Sequence, residues 1–333
     1  MLKVVEGDRI DSVSWDGLVA SSPVASWFQT HEAFCFFDRA SFMEAFAIGV
    51  ENDGVLKGVV VGYVQKDGGK VKQFFSRRAI VNGGALLAVD ITDEELRVLL
   101  KALKTKLKRK AIYIEMRNFE DYSQWCLVFE ECGFKYEPHL NFHLNCEDWG
   151  MVESKIGKHR RRYIRLSVKN GAKLVESPSI EQVRSYYSVL YELYRTKIKR
   201  PLFPLSYFEA LYECGSCRFI LIEYEGSIIG GSVCVVLANR TVYEWFACGK
   251  DGAYKNIYPS SLTKYEGIRF AHDNGCKVFD MMGAGKPNEE YGVRDFKAEF
   301  GGDLVENGRL LMVNHLSLYL IGKIGVNLWK FVK

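Results

Sequence analysis

The chain has 333 residues, of which 48% are hydrophobic, 14% aromatic and 26% charged. This length exceeds that of one ordinary domain, and the composition excludes an intrinsically disordered chain. Lys and Arg number 45 and Asp and Glu 41, a net charge of +4 that excludes a uniformly basic nucleic-acid coat but permits local basic patches.

The sequence also bounds the cellular context. The N-terminal sequence has no apolar signal region, and no stretch holds the roughly 18 consecutive apolar residues of a membrane span. The 9 cysteines are scattered, which is typical of reduced thiols in a cytosolic protein. The close pair Cys214 and Cys217 is interpreted as structural, because a zinc site needs about four ligands. We therefore expect a cytoplasmic protein without a bound metal.

The first half of the sequence predicts a β-hairpin, a helix and a further strand. Apolar strands are predicted at 45–50 and 55–64 around a turn at 52–54, then a helix at 93–110 and a strand at 111–116. Thr92 and Glu95 have the spacing of a capping box and predict the start of the helix.

The second half repeats this order of elements. Strands are predicted at 219–224, 227–237 and 240–247, then a helix at 260–274 ending before Gly275, then a strand at 277–282. The turn glycines Gly54 and Gly226, and the two strands after the helices, are separated by nearly equal stretches of sequence. We therefore interpret the chain as two copies of one α/β unit, each a mixed, mostly antiparallel sheet flanked by helices. The predicted domains are 1–150 and 151–333.

A strongly basic segment joins the two copies. Residues 154–173 hold four Lys and four Arg and no acid, and we expect them to form one helix. At about 100° per residue, Arg161 and Arg165 fall with other cations on one face. That face is either a solvated surface or a surface for phosphate, RNA or anionic headgroups. Arg160 falls among the apolar residues, so it should meet either a structural carboxylate or an anionic ligand.

Several short motifs occur in an order that carries a family resemblance. They are W-F-Q-T at Trp27–Thr30, the glycines Gly83 and Gly84, E-C-G-F at Glu131–Phe134, the basic run Arg160–Lys173, D-M-M-G at Asp280–Gly283, Y-G-V-R-D-F-K at Tyr291–Lys297 and F-G-G at Phe300–Gly302. In this order they resemble the Fem-type (FemABX) peptidoglycan-bridge aminoacyltransferases and related acyltransferases with tandem acetyltransferase-like (GNAT) domains. The resemblance covers nearly the whole chain and depends on order and spacing, because each motif is short. The long helical arm of some members is absent here.

The resemblance implies two GNAT-like domains and a cleft in which an activated acyl group passes to an amine. In the family the donor is aminoacyl-tRNA and the acceptor is an amine of a peptidoglycan precursor. We therefore expect a role in cell-wall biogenesis, with the donor as a cosubstrate and no tightly bound cofactor. One alternative on the same fold is an acyl-CoA-dependent N-acetyltransferase acting on a surface-polysaccharide or small-molecule amine. A second alternative is a non-catalytic module that binds RNA or a membrane.

The C-terminal tail at 315–333 carries two interpretations. The last helix of the family often packs back on the first domain, and the resemblance implies the same for this tail. Its apolar residues, with Lys323, Lys330 and Lys333 near one helical face, also suit an interfacial helix at the inner membrane leaflet. Peripheral membrane contact is therefore an alternative for this cytoplasmic protein. The sequence leaves the oligomeric state open.

Lys297 is the leading catalytic candidate. It lies between apolar neighbours just before Gly301 and Gly302, where its charge could contact a phosphate, and the family motif supports this position. Asp280, at the end of its predicted strand, is the candidate general base, with substrate-assisted deprotonation as the alternative. The candidate substrate-binding residues are Arg160, Arg161, Arg165, Tyr243, Lys255, Tyr258, Ser260 and Arg294.

The start of the second-copy helix predicts an anion site. Ser260 or Ser261 should cap this helix, and the free backbone N–H groups there attract phosphate. In GNAT-like folds the corresponding helix start faces the donor phosphates. The preceding loop Gly249–Lys255 lacks the usual glycine-rich acetyl-CoA signature, which favours a donor other than CoA.

Two further patterns are not interpreted as sites. The run Gly283–Lys286 is not a P-loop, because Asp280 takes the place of the first glycine and Pro287 follows the lysine. His139 and His143 alternate with apolar residues as on a strand, where they lie apart, so they do not predict a metal pair.

Overall fold

The structure is a computed structural model that describes residues 1–65 and 76–323. The chain forms two compact units, one of Met1–His139 with Glu306–Lys333 and the other of Leu140–Val305. These units differ from a division at residue 150, because each takes a strand from the other half of the chain. The limits 1–150 and 151–333 therefore stay a prediction about the two sequence copies.

The elements alternate between strands and helices along the chain. The described strands are Leu2–Glu6 (β1), Met43–Asn52 (β2), Val55–Gln65 (β3), Arg78–Gly83 (β4), Leu86–Leu87 (β5), Tyr113–Asn118 (β6), Lys135–Glu137 (β7), Leu140–Asn145 (β8), Lys173–Leu174 (β9), Cys217–Tyr224 (β10), Ser227–Leu237 (β11), Thr241–Gly249 (β12), Val278–Asp280 (β13), Asp303–Glu306 (β14) and Arg309–Val313 (β15). The described helices are Ser12–Ser21 (α1), His31–Arg39 (α2), Asp93–Leu107 (α3), Cys126–Glu131 (α4), Trp149–Lys155 (α5), Lys158–Lys169 (α6), Ile180–Leu193 (α7), Leu205–Glu213 (α8), Pro259–Asp273 (α9) and Gly292–Ala298 (α10).

Each unit is built on one sheet. The first has the order β1-β2-β3-β4-β6-β15-β7, with β5 beside β3, and the second has the order β14-β8-β13-β12-β11-β10-β9. A parallel pair lies in each sheet, β4 with β6 and β12 with β13. The strands exchanged between the sequence halves are β8, which belongs to the second sheet, and β15, which belongs to the first. Mixed, mostly antiparallel sheets with flanking helices agree with the predicted fold class.

The two hairpins show why the sequence halves look alike. Asp53 and Gly54 have φ of 48° and 80°, and Glu225 and Gly226 have 49° and 74°. Positive φ at both central residues defines the tight turn whose twist matches that of paired strands, and glycine adopts it without steric cost. A bulge interrupts the register at Val50/Glu51 in one hairpin and at Ile222/Glu223 in the other. Both predicted turns are confirmed.

Local capping signals place the two long helices correctly. The Thr92 hydroxyl accepts from the Glu95 N–H, and the Glu95 carboxylate accepts from the Thr92 N–H at 2.7 Å, so the predicted capping box starts α3. The helix predicted at 260–274 is α9, and it ends before Gly275, whose φ is 68°.

The prediction of one basic helix at 154–173 is wrong. The segment contains the end of α5 and all of α6, separated by Ile156 and Gly157 with extended ψ of 126° and 143°. The Ile156 side chain is buried, and the Gly157 N–H donates to the Glu299 carbonyl at 2.8 Å. These contacts with residues distant in sequence break the helix and leave the cations of α6 on a shorter element.

Each sheet packs against an amphipathic helix to form a core. In the first unit α3 buries leucines at helical spacing against the sheet: Leu96, Leu99, Leu100, Leu103 and Leu107. In the second unit α9 buries Leu262, Ile268 and Ala271 in the same way, against residues that include Phe279. Within residues 1–65 and 76–323, no helix has the length and apolar character needed to cross a bilayer.

The described part of the C-terminal tail packs within the first unit. The His315 ring lies 2.8 Å from the Lys108 carbonyl, and the rings of Tyr319 and Tyr113 meet edge to face at 5.3 Å. Residues 324–333, with Lys330 and Lys333, lie outside the described residues, so the interfacial interpretation of the tail stays a prediction.

Candidate active site

The candidate site begins where two parallel strands of the second sheet part. Strands β12 and β13 pair in register as far as Tyr243 opposite Asp280. Strand β12 then continues to Gly249, whereas the chain after Asp280 turns to β8, and the Met281 N–H donates to the Phe142 carbonyl at 2.9 Å. The carboxyl ends of parallel strands are a common place for ligand sites in α/β sheets.

Lys297 lies at this opening and is bound by backbone. The side chain comes from α10 and is buried, with 8% of the residue exposed. Its Nζ donates to the carbonyl oxygens of Met281 at 2.6 Å, of Gly283 at 2.9 Å and of Met282. Met282 and Gly283 both have positive φ, so Lys297 holds a segment in a conformation that is strained for Met282. The structure thus places Lys297 as a buried tether rather than as an open contact for phosphate.

The surroundings of Lys297 lower its pKa. The pKa of Lys297 is lowered from 10.5 to about 7, mainly by burial and secondarily by the nearby Lys264 ammonium. The carboxylates of Glu244 and Asp280 favour the charged form and offset part of this decrease. Three carbonyl acceptors match the three N–H donors of an ammonium, and a neutral amine has only two. The strength of the tether therefore depends on pH near neutrality.

Asp280 is buried beside Lys297, and a histidine lies opposite it. Asp280 is 1% exposed, and its Oδ1 accepts from Asn141 Nδ2 at 2.8 Å and from the Met282 N–H at 2.6 Å. Its Oδ2 lies 3.4 Å from His143 Nε2. The sequence alone did not assign a role to His143. Its position opposite Asp280 becomes visible only when the pairing of β8 with β13 is known. Among the described residues, no group of three or more His, Cys, Asp and Glu side chains could hold a metal ion.

A buried ion pair lies under the same strands. Lys264 of α9 donates to the Glu244 carboxylate of β12, and the two side chains are 3% and 2% exposed. The Lys264 Nζ also lies 5.7 Å from the centre of the Phe279 ring. Sequence reasoning missed this pair. Its one signal is a lysine among the apolar positions of α9.

The start of α9 does not have the predicted caps. Tyr258 occupies the N-cap position without a side-chain hydrogen bond, and Pro259 is the first helical residue. The Asp251 carboxylate accepts from the Ser260 N–H at 3.3 Å and from the Ser260 hydroxyl. The prediction that Ser260 or Ser261 caps the helix is wrong, because an acid from the preceding loop takes that place.

Arg160 has the inward position that its helical phase predicted. Its Nη2 donates to Glu299 Oε1 at 3.1 Å and its Nη1 to the Ser261 hydroxyl at 3.2 Å. The guanidinium also lies 4.5 Å from the centre of the Phe296 ring. Of the two alternatives for Arg160, the structure shows a carboxylate partner.

The two candidate tyrosines differ in their exposure. Tyr258 is half-buried and stacks on Tyr163 with ring centres 3.9 Å apart, while its N–H donates to the Ser167 hydroxyl at 2.8 Å. Tyr243 is 1% exposed within β12, so it reaches a ligand only through the opening beside it.

The remaining candidate cations are either exposed on the surface or bound to a loop. Arg161, Arg165 and Lys255 are exposed. Arg294 instead binds the loop after the strand opening: its guanidinium donates to the carbonyls of Ala284 at 2.8 Å, of Lys286 and of Pro287 at 3.4 Å. The structure therefore brings Lys297 and Asp280 together at the opening and separates them from the exposed cations.

Replacing Arg294 with Met should loosen this loop. The three carbonyls lose charged donors, each worth about 1.5–3 kcal/mol when buried and less in a half-exposed loop. We expect faster amide hydrogen exchange at 284–290 and an unchanged rate in α9. Arg269→Met is the matched control because Arg269 makes an exposed pair within α9. Equal exchange at 284–290 in both variants would contradict this role for Arg294.

Comparison with known proteins identifies the family of the site-bearing segment. Residues 220–310 match the FemAB family model. The resemblance to the Fem-type family is confirmed. The matched segment runs from β10 to β15 and includes Lys297, Asp280, Glu244 and Lys264. No curated protein matches the chain at a significant level.

Solved structures show the same fold over nearly the whole chain. The crystal structure of FemX is 15% identical, with a TM-score of 0.73, and the match covers 95% of this chain and 99% of that one. A tandem GNAT protein from the clavulanic acid biosynthesis pathway is 11% identical, with a TM-score of 0.61, covering 94% and 99%. L-PGS from Bacillus licheniformis is 13% identical, with a TM-score of 0.59, covering 94% and 96%. The predicted tandem GNAT fold is confirmed, and with the Fem-type match so is the predicted enzyme class, an acyltransferase.

Proposed function

We propose that this acyltransferase transfers an aminoacyl group from aminoacyl-tRNA to an amine of a peptidoglycan precursor. The proposal is supported by the FemAB-type segment at 220–310, which holds the strand opening with its buried lysine and carboxylate. The similar FemX structure makes the same substrate class the natural one to test. Such precursors carry the phosphates and free amines that a basic enzyme of this class would meet on the cytoplasmic side of the membrane.

The single observation that carries the choice of donor is the Asp251 carboxylate at the start of α9. In GNAT-like folds this helix start faces the phosphates of CoA, and here it already holds an acid that accepts from Ser260. A carboxylate at that place repels a diphosphate. Lys297 also engages the carbonyls of Met281–Gly283 at the opening, where the backbone would otherwise be available to a pantetheine arm. Both features favour an ester donor over an acyl-CoA.

The reaction requires an amine to attack the acyl carbon while charge develops on the carbonyl oxygen. Positioned cations and N–H donors stabilise that charge more in a buried site than in water. We assign Lys297 to hold the strained segment Met281–Gly283 beside the opening and to supply positive charge there. In this proposal Arg160 and Tyr258 shape the start of α9, and Arg294 shapes the loop after β13.

The test is an acyl-transfer assay with two donors and one acceptor. The chain is incubated with a UDP-linked muramoyl pentapeptide and either mixed aminoacyl-tRNA or acetyl-CoA, and the acceptor is followed by mass spectrometry. We expect the mass of one aminoacyl residue to be added from tRNA only. Addition of an acetyl group from acetyl-CoA would replace the proposal by the N-acetyltransferase alternative. Binding of tRNA or vesicles without transfer from either donor would favour the non-catalytic module.

Exposed cations of α6 should contribute to tRNA binding. Lys158, Arg161, Arg162 and Arg165 are exposed on a helix without acidic residues. In the double variant Arg161→Gln/Arg165→Gln we expect KM for the tRNA donor to rise roughly tenfold or more, and the slope of log K against log salt to fall by about 2. Arg184→Gln is the control, because Arg184 is exposed on a different helix, α7, and is paired with Glu209. An unchanged salt slope would exclude this surface from tRNA binding.

A further inference from the structure

His143 and Asp280 face each other across neighbouring strands at the opening. They are direct partners in the antiparallel pairing of β8 with β13, and so their side chains lie on the same face of the sheet. We propose that His143 is the general base that takes the proton from the acceptor amine, and that Asp280 orients it. The proposal rests on the acyltransferase function above and names a proton acceptor for it.

The burial of the two groups assigns their roles. Asp280 is 1% exposed, whereas the His143 side chain is 19% exposed. At that depth the carboxylate is shielded from an amine substrate, whereas the imidazole keeps an exposed edge. Asp280 was the sequence candidate for the base, and the geometry favours the histidine opposite it.

The hydrogen bonds of Asp280 point one oxygen at the imidazole. Asn141 and the Met282 N–H occupy Oδ1. Oδ2 accepts no hydrogen bond from the described residues, but it lies 3.4 Å from His143 Nε2, which is also 3.4 Å from Asn141 Nδ2. A buried carboxylate at this distance can select the tautomer of a histidine, as it does in hydrolytic triads. In the proposed dyad the hydrogen is on Nε2, towards Asp280, and Nδ1 is the basic nitrogen; in the other tautomer Nε2 would accept from Asn141 Nδ2.

The proposed step balances with an activated ester as the co-reactant. The acceptor amine attacks the acyl carbon, so a C–N bond forms and the C–O bond of the ester breaks. The proton lost by the amine nitrogen moves to His143, and the leaving hydroxyl oxygen receives it. The products are an amide and a free hydroxyl, and His143 returns to its neutral form.

The charged groups beside His143 act in opposite directions on its protonated form. Asp280 of β13 faces the ring, and Lys297 of α10 lies close enough to Asp280 to interact with it electrostatically. Glu244 follows Tyr243, the strand partner of Asp280, and so points with Lys264 to the opposite face of the sheet. Asp280 stabilises the protonated ring, and Lys297 opposes it.

The activity test uses His143→Gln, with His143→Asn as a second variant in case the first folds poorly. We expect kcat/KM to fall about 10²- to 10³-fold, the acidic limb of the wild-type pH profile to disappear, and added imidazole to restore part of the rate. Asp280→Asn should keep the limb but shift it to lower pH, because the protonated ring loses its anion. His272→Gln is the control, since His272 lies on α9 and its Nδ1 is 2.6 Å from the Cys146 carbonyl oxygen, in contact with backbone rather than with Asp280. A wild-type pH profile in His143→Gln would overturn the proposal.

A second readout needs no turnover and separates this proposal from the proposed function. Nitrogen-detected NMR of the histidine rings, in wild type and Asp280→Asn without substrate, reports the tautomer and the midpoint of protonation of His143. We expect hydrogen on Nε2 and a midpoint that falls when Asp280 is neutralised. If no donor is turned over but this response is seen, the proposed function fails while the His143–Asp280 dyad stands. If the tautomer and the protonation midpoint of His143 were the same in wild type and Asp280→Asn, the proposed dyad would be excluded, whatever the transfer activity.

Discussion

Replacing Lys264 with Met should lower the free energy of unfolding by about 3–5 kcal/mol. The substitution leaves the Glu244 carboxylate buried, 2% exposed, without the ammonium that compensates its charge. One Glu244 oxygen already lacks a hydrogen bond among the described residues, so no second donor takes over. Urea unfolding followed by circular dichroism measures the loss as a lower midpoint at an unchanged slope.

Two further variants make this result specific. In Lys264→Met/Glu244→Met both charges disappear, and we expect most of the loss to be recovered, because desolvation largely offsets the attraction in a buried pair. Thr263→Val is the matched control: Thr263 is 1% exposed on the same helix, and its hydroxyl has no hydrogen bond among the described residues. That change should be neutral or stabilising. If Lys264→Met were as stable as wild type, Glu244 would not remain as a buried charge in that variant.

The buried pair also shows where sequence reasoning succeeds and where it stops. Turns and helix caps depend on residues that are close in sequence. The turns at Asp53-Gly54 and Glu225-Gly226 and the Thr92 capping box could therefore be predicted. The fold class followed from the repeated order of these local elements. Arg160 could be placed inward because helical phase depends only on neighbours along the chain.

Contacts between distant residues could not be predicted in this way. The pairing of His143 with Asp280, and of Lys264 with Glu244, depends on which strands and helices become neighbours. The break at Gly157 depends on the Glu299 carbonyl in the same manner. Each of these pairs becomes visible only when strand order is known, and strand exchange through β8 hides the order of the second sheet from the sequence.

For the candidate site, sequence motifs could select residues but not their geometry, and the catalytic role of those residues stays a prediction. Lys297 and Asp280 were selected from motifs and do meet at the opening. Their burial reverses the picture of a lysine open to phosphate, because α10 directs the ammonium onto three carbonyls. Asp251 takes the place expected for a donor phosphate. The sequence of its loop showed only that the glycine-rich acetyl-CoA signature is missing, and it did not predict this contact.

Replacing Lys297 with Met should lower kcat/KM by about 10²- to 10³-fold. The backbone of Met281–Gly283 loses its N–H donors, and the proposed reaction loses a positive charge near the acyl group. Lys286→Met is the matched control, because Lys286 lies exposed in the loop that follows the same segment. The acyl-transfer assay compares both variants at equal folded fractions, and equal kcat/KM in the two would exclude Lys297 from the site.

The same substitution predicts a pH dependence of stability with a definite sign. The pKa of Lys297 is about 7 in the folded chain and near 10.5 when unfolded, so between these values the unfolded chain binds more protons. The free energy of unfolding of wild type, relative to Lys297→Met, should therefore increase with pH from about 7 to 10, by up to about 1.4 kcal/mol per unit. Below pH 7 both states are protonated and the difference should be flat. Urea unfolding at pH 6, 7, 8 and 9 measures it, and a difference that stays flat over this range would mean that the three carbonyls hold the pKa of Lys297 at or above 10.5 rather than burial lowering it.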